Sequence, residues 1–190
     1  MAGRPDSMLA LNILGIEVPD TRPLFIAALA VHVPAGITSV VSGAVAALSP
    51  KRPRRHPMAG RVYLVGIALV CASATVLAPM RWSHDWPLFL LDLLAFAAAG
   101  TGLAVRLRQR PGWLARHGMA MAGSYVTLLT GFYIDNGPNL PLWDRLPHLT
   151  YWLLPAAVGV PITLAALAHN RAWNGGSRWP MSRRSTSTAP

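Results

Sequence analysis

The chain has 190 residues, of which 53% are hydrophobic and 13% charged, and its formal net charge is +10. Soluble domains carry about 25% charged residues, so this composition excludes an ordinary water-soluble globule and points to a chain whose solvent is mostly lipid. The positive charge does not indicate a nucleic-acid binder, because the basic residues sit between long apolar runs and form no separate basic domain.

The leading segment, residues 1–23, carries Asp6, Glu17 and Asp20 and reads as an extracytoplasmic N-terminal segment. A spanning helix needs about 20 mostly apolar residues. The first such run covers 24–48 and contains His32, Pro34 and a stripe of small residues at Ser39, Gly43 and Ala47. Small residues four apart make a smooth face for a neighbouring helix in lipid. Ala44-Val45-Ala46 resembles a cleavage site. The run before it exceeds the roughly 7–15 residues of a signal-peptide core, and the acidic leader is unlike a basic n-region. An uncleaved helix is therefore expected. The second run covers 62–80 and holds Cys71, the lone cysteine, which reads as packing. The third covers 87–107, with Asp92 and the small pair Gly100 and Ala104. The fourth, 119–134, is the shortest and least apolar. The fifth covers 149–168 and contains Pro155 and Pro161. Each internal proline frees the carbonyl four residues earlier, which favours a bend or a cavity.

These runs predict an all-α, polytopic membrane bundle of about five transmembrane helices over residues 24–169, followed by a basic cytoplasmic tail without fixed structure at 170–190. Thirteen of the 17 Lys and Arg fall at 51–61, 106–116 and 171–184, and the other four are Arg4, Arg22, Arg81 and Arg145. Cytoplasmic loops carry the excess of Lys and Arg. The N-terminus is thus expected outside and the C-terminus inside a cell membrane, with anionic lipid at the basic face. Trp82, Trp86, Trp143, Tyr151 and Trp152 fall at the expected outer ends, where interfacial aromatics belong. A short internal repeat supports two like-oriented hairpins. Arg55-His56-Pro57-Met58-Ala59 recurs 61 residues later as Arg116-His117-Gly118-Met119-Ala120.

Ionisable residues at membrane depth are costly and mark candidate sites. His32 and Asp92 lie on different helices at similar depth, about 12 Å and 9 Å inside the outer end at 1.5 Å per residue. They are a candidate intramembrane pair, with a register-fixing hydrogen bond as the plainer alternative. His56 and His117 occupy equivalent positions at the inner ends of two helices and are candidate axial ligands of haem b. His32, Asp92, His148 and His84 form a candidate outer metal set, suited to a divalent ion such as zinc. The other histidine, His169, is read as an interfacial residue. The chain contains no His-Glu-x-x-His, Cys-x-x-Cys or Cys-x-x-Cys-His and no phosphate-cradling loop, so covalent c-type haem is not expected.

Three functions follow as expectations. The first is an accessory or structural subunit packed against other membrane subunits, with His32 and Asp92 serving stability. The second is a non-covalent haem-b redox protein linked to a quinone or a soluble partner. The third is a metal-dependent hydrolase with an outer-leaflet site.

The run His32-Val33-Pro34-Ala35-Gly36, the basic loop, and His56-Pro57-Met58-Ala59-Gly60-Arg61-Val62-Tyr63 together resemble the uncharacterised bacterial membrane family called domain of unknown function 2306. Arg116-His117-Gly118-Met119 resembles that family's later basic-His-x-x-Met element. Pro57 departs from the family pattern, which often has arginine there. The resemblance spans roughly residues 25–135 and implies a multi-helix membrane protein without an established activity.

Overall fold

The computed structural model of the protein describes residues 11–13, 16–18, 22–49, 54–137, 140 and 145–176. Five helices dominate it: α1 (Pro23–Leu48), α2 (Arg55–Met80), α3 (Trp82–Arg108), α4 (Trp113–Asn136) and α5 (His148–Gly176). They are preceded by a hairpin of two three-residue strands, β1 (Leu11–Ile13) and β2 (Ile16–Val18), with Asn12 opposite Glu17. Strands this short leave no periodic signal, and the sequence does not foreshadow them.

Helix ends follow local chemistry. Pro23 opens α1 at a position where the missing N–H costs nothing. At the other end Ser49 turns the chain out of α1, its N–H donating to the Val45 carbonyl. Gln109 closes α3 in a left-handed conformation, and Gly112, at φ 76°, lets the chain turn into α4. Arg81 alone separates α2 from α3. Trp82, His84 and Trp86 therefore lie within the first turns of α3, and the expected outer loop around His84 is helix.

Consecutive helices are antiparallel neighbours, and α1 also touches α4, which closes a four-helix ring with α5 packed outside on α4. The ring encloses Tyr63, Ile67, Ala95, Ala99 and Leu128, all buried. The outward faces carry exposed apolar side chains such as Val41 on α1, Leu94 on α3 and Ile162 on α5. In water that pattern is inverted; in a bilayer it is the expected contact with lipid. By length and composition α1, α2, α3 and residues His148–His169 of α5 can cross a membrane. The protein is a multi-pass helical membrane protein. Helix α4 is long enough, at about 36 Å for its 24 residues, but less apolar. Its hydroxyls are satisfied inside the protein: Thr127 and Thr130 donate to carbonyls of their own helix, and Ser124 donates to Ala95 O at 2.7 Å.

Two expectations need correction. Helix α5 runs past the predicted boundary at 169 to Gly176, while 177–190, the rest of the expected tail, lies outside the described residues, as does Trp143. The small-residue stripes are also shifted. Ser39 and Gly43 are buried, but Ala47 is exposed, and an added Cβ at Gly100 meets nothing within 4 Å. On α3 the close approach is made by Gly102, whose added Cβ would lie 2.7 Å from Met121 Sδ. Spacing of four marks a face but not which neighbour it meets.

Gly66 supplies a sharp test of this packing. A Cβ there would collide with Ser39 Oγ, which is held by the Ala35 carbonyl at 2.7 Å. Gly66→Ala is expected to lower stability by about 1–3 kcal/mol through forced separation of α1 and α2. Gly100→Ala should leave it unchanged. Denaturation midpoints in mixed micelles compare the two, and equal midpoints would refute this placement of the α1–α2 contact.

Candidate functional site

The bundle has a basic end, where α1 and α3 finish and α2 and α4 begin, and an opposite end bearing Arg81, Asp85 and Asp135. His56 lies in the first turn of α2 and His117 in the second turn of α4. These helices are diagonal across the ring, so one-turn differences in side-chain reach decide what meets on the central axis. The two imidazole rings lie close together, with centroids 6.5 Å apart and planes at 83°.

Each ring is anchored the same way. His56 Nδ1 lies 2.8 Å from the Ala46 carbonyl near the end of α1, and His117 Nδ1 lies 2.8 Å from the Gly102 carbonyl on α3. A carbonyl only accepts, so each Nδ1 carries the proton. In the neutral ring each Nε2 is the lone-pair nitrogen, and it has no hydrogen-bond partner among the described residues. Histidines that ligate metals commonly use this arrangement, one ring N–H fixed on a backbone carbonyl and the other nitrogen presented.

Two imidazoles alone do not hold a bare zinc ion, which takes four ligands in a structural site or three in a catalytic one. No group of three or more His, Cys, Asp or Glu side chains is placed to hold a metal ion among the described residues. Haem iron already carries the nitrogens of its own ring system and needs one or two protein ligands besides, so two imidazoles are a donor set that would suit haem better than a bare divalent cation. Trp113 flanks His117 with ring centroids 6.3 Å apart, and Arg55, Arg61 and Arg106 supply positive charge at the same end.

Above the histidines, toward the opposite end, lies a polar layer that sequence reading did not identify as a unit. Tyr63 Oη and Ser124 Oγ are 2.6 Å apart, and Tyr125 Oη donates to the Val40 carbonyl at 3.0 Å. The rings of Tyr63 and Tyr125 meet edge to face at 6.3 Å. Tyr63 and Ser124 are separated by 61 residues, the spacing that also relates His56 to His117. The signal was present in the repeat: equivalent positions of the two hairpins face each other across the ring.

The outer candidates resolve differently. His32 and Asp92 line one cavity of about 230 Å³ between α1, α2, α3 and α4. They are not joined by a hydrogen bond or ion pair among the described residues; His32 Nδ1 pairs with Ser73 Oγ at 3.0 Å. Asp135, Arg81 and Asp85 line the same cavity. Asp135 lies within electrostatic reach of His32 and Asp92. It was missed because the fourth apolar run ends at 134, one residue before it. The four-residue metal set does not assemble. His84 is exposed in the first turn of α3, and His148 is exposed at the start of α5 with its ring against Tyr151 at 5.6 Å. The hydrolase expectation loses its metal site with it. Cys71 is buried and free, as packing requires.

No family model, curated protein or solved structure matches this chain. The resemblance to domain of unknown function 2306 thus stands on its motif residues alone.

Proposed function

We propose that this chain is a b-type haem protein of the cell membrane that passes single electrons, with His56 and His117 as axial ligands. The observation that carries the reading is the pair of imidazoles 6.5 Å apart, each fixed through Nδ1 on a backbone carbonyl. Bound haem supplies a one-electron iron couple whose potential depends on its axial ligands and burial. The protein's part is to hold both rings in one tautomer, to keep water from the site with α1 and α3, and to balance propionate charge with arginines of the basic end. The excess of Lys and Arg at that end supports a cytoplasmic position for it, with the N-terminus outside and anionic lipid against the basic face.

The test is spectroscopic. Protein purified from haem-sufficient cells is expected to be coloured, with about one haem per chain, a Soret band, and sharp α and β bands after dithionite reduction. A well-folded but colourless, iron-free preparation sinks the reading.

A second reading, an accessory subunit of a larger membrane complex, is favoured by α5. Among the described residues that helix packs chiefly on α4 and leaves Leu153, Val158 and Leu164 exposed. The two readings are compatible, since a haem subunit can sit in a complex. Mild-detergent extraction followed by native size analysis separates a lone chain from an assembly.

A further inference from the structure

We propose that the groove on the outer face of α1 and α2 seats one anionic phospholipid, with its phosphate on Arg61, an ester carbonyl at Thr38 and an acyl chain along the groove. Haem plays no part in this site. The site rests on the attraction of the basic face for anionic lipid and gives that attraction a single fixed seat. The groove has a volume of about 500 Å³ and opens to the outside of the ring. Ala35 and Gly66, both buried, form its floor, and exposed Val31, Val65 and Leu69 form its walls. Its depth comes from Gly66, where the missing Cβ lets α1 and α2 close on each other.

Two polar groups interrupt the apolar lining, and the protein satisfies neither. Arg61 is exposed and has no hydrogen-bond or ion-pair partner among the described residues. None of the seven Asp and Glu side chains lies in 21–84 or 93–134, the stretches that build this end. A guanidinium beside hydrocarbon requires a counter-charge or water. Phosphate matches its planar fork of donors. Thr38 is exposed in the same groove, and its hydroxyl has no partner among the described residues. The hydroxyls of Thr75, Thr101, Thr127, Thr130 and Thr163 each donate to a carbonyl of their own helix. Thr38 instead keeps its donor for an occupant of the groove.

The depth of each group follows the order of a phospholipid. The apolar run of α2 begins at 62, so Arg61 stands at the hydrocarbon boundary. Helical side chains lean toward the helix N-terminus, which for α2 is the basic end, so the guanidinium reaches outward to phosphate depth. Gly66 lies against Ala35 and Ser39, which sets Thr38 about one helical turn deeper than Arg61. Leu69 is about 12 Å beyond Arg61, close to the middle of a hydrocarbon layer of about 30 Å. Phosphate, ester carbonyl and acyl chain succeed one another in that order from the water inward. A second copy of this chain in the same orientation would bring no carboxylate to Arg61, because its own basic end lacks one.

The experiment is native mass spectrometry of the purified full chain in detergent, titrated with dioleoyl phosphatidylglycerol and, separately, dioleoyl phosphatidylcholine. The expected result is saturation at one phosphatidylglycerol per chain, about tenfold tighter than phosphatidylcholine. Arg61→Gln should remove that preference. Arg108→Gln, an equal loss of charge from an exposed side chain at the same end, should leave it unchanged. Thr38→Val should weaken phosphatidylglycerol about threefold. Val65 faces away from the ring at 61% exposure, so Val65→Trp fills the groove without entering the core. It should lose the lipid and keep the wild-type unfolding midpoint. Equal affinity of the wild type for both lipids overturns the site together with the attraction it rests on. Equal weakening by Arg61→Gln and Arg108→Gln leaves the attraction standing and overturns the site. Undiminished binding in Val65→Trp, equally tight binding of chain-free glycerol phosphate, or a stable dimer that Val65→Trp breaks also overturns it.

Discussion

His117→Gly is expected to abolish the low-spin haem spectrum, and millimolar imidazole is expected to restore it. The side chain would supply one of the two nitrogens proposed to hold the haem, and its Nδ1 donates to Gly102 O of α3 at 2.8 Å. Deleting it would leave His56 alone to hold the group, and haem retention should fall at least about tenfold, the range seen when even the outer partner of a ligand is removed. Imidazole from solution occupies the vacated volume and supplies the missing nitrogen. The same experiment at His56→Gly should give the same result, because both rings are anchored alike. His169→Ala, on an exposed part of α5, should leave the spectrum unchanged. Unaltered low-spin bands in both glycine variants would show that the haem is held elsewhere; far-ultraviolet circular dichroism verifies that the bundle is intact.

Tyr63→Ala should be the most destabilising single change in the ring, by about 3–5 kcal/mol, the range for truncating a large buried aromatic. Tyr63 is 1% exposed and sits in the central cluster with Ile67, Ala95, Ala99 and Leu128. Its ring also packs on Tyr125. Lipid chains are as apolar as the core, so the loss is mostly one of van der Waals contact and cavity formation, and less one of transfer from water. Tyr63→Phe separates the hydroxyl from the ring. Ser124 keeps its bond to the Ala95 carbonyl in that variant, so the cost should fall to about 1 kcal/mol. Denaturation midpoints in micelles of graded denaturing-detergent content measure both. A phenylalanine variant as damaged as the alanine variant would move the main contribution from packing to the hydrogen bond.

What could be read from the chain depended on the kind of signal. The apolar runs located all five helices, because lipid imposes length and polarity on each segment separately. The recurrence of Arg-His-x-Met-Ala at 61 residues placed His56 and His117 at one depth, and the ring then brought them together. Tyr63 and Ser124 share that spacing but differ in chemistry, so likeness of residues does not reveal them as equivalents. Helix faces were less legible. His32 was paired on depth with Asp92, yet its hydrogen bond goes to Ser73 on the adjacent α2, since depth fixes position along a helix and not rotation about it. Asp135 fell outside the fourth run because a carboxylate ends a hydropathy window even where the helix continues to Asn136.

The contact between Tyr63 and Ser124 carries a consequence for the chain's two halves. A symmetric dimer of one hairpin would set the same side chain against itself on the axis, because an isologous interface repeats every position twice. Two copies of the first hairpin would crowd two tyrosines into the space now shared by one phenol and one small hydroxyl, and two copies of the second would leave a void between serines. Only a pairing of unlike halves fills it. The one-residue link at Arg81 makes that pairing intramolecular, so that each tyrosine is born with its serine on the same polypeptide and mismatched partners never compete.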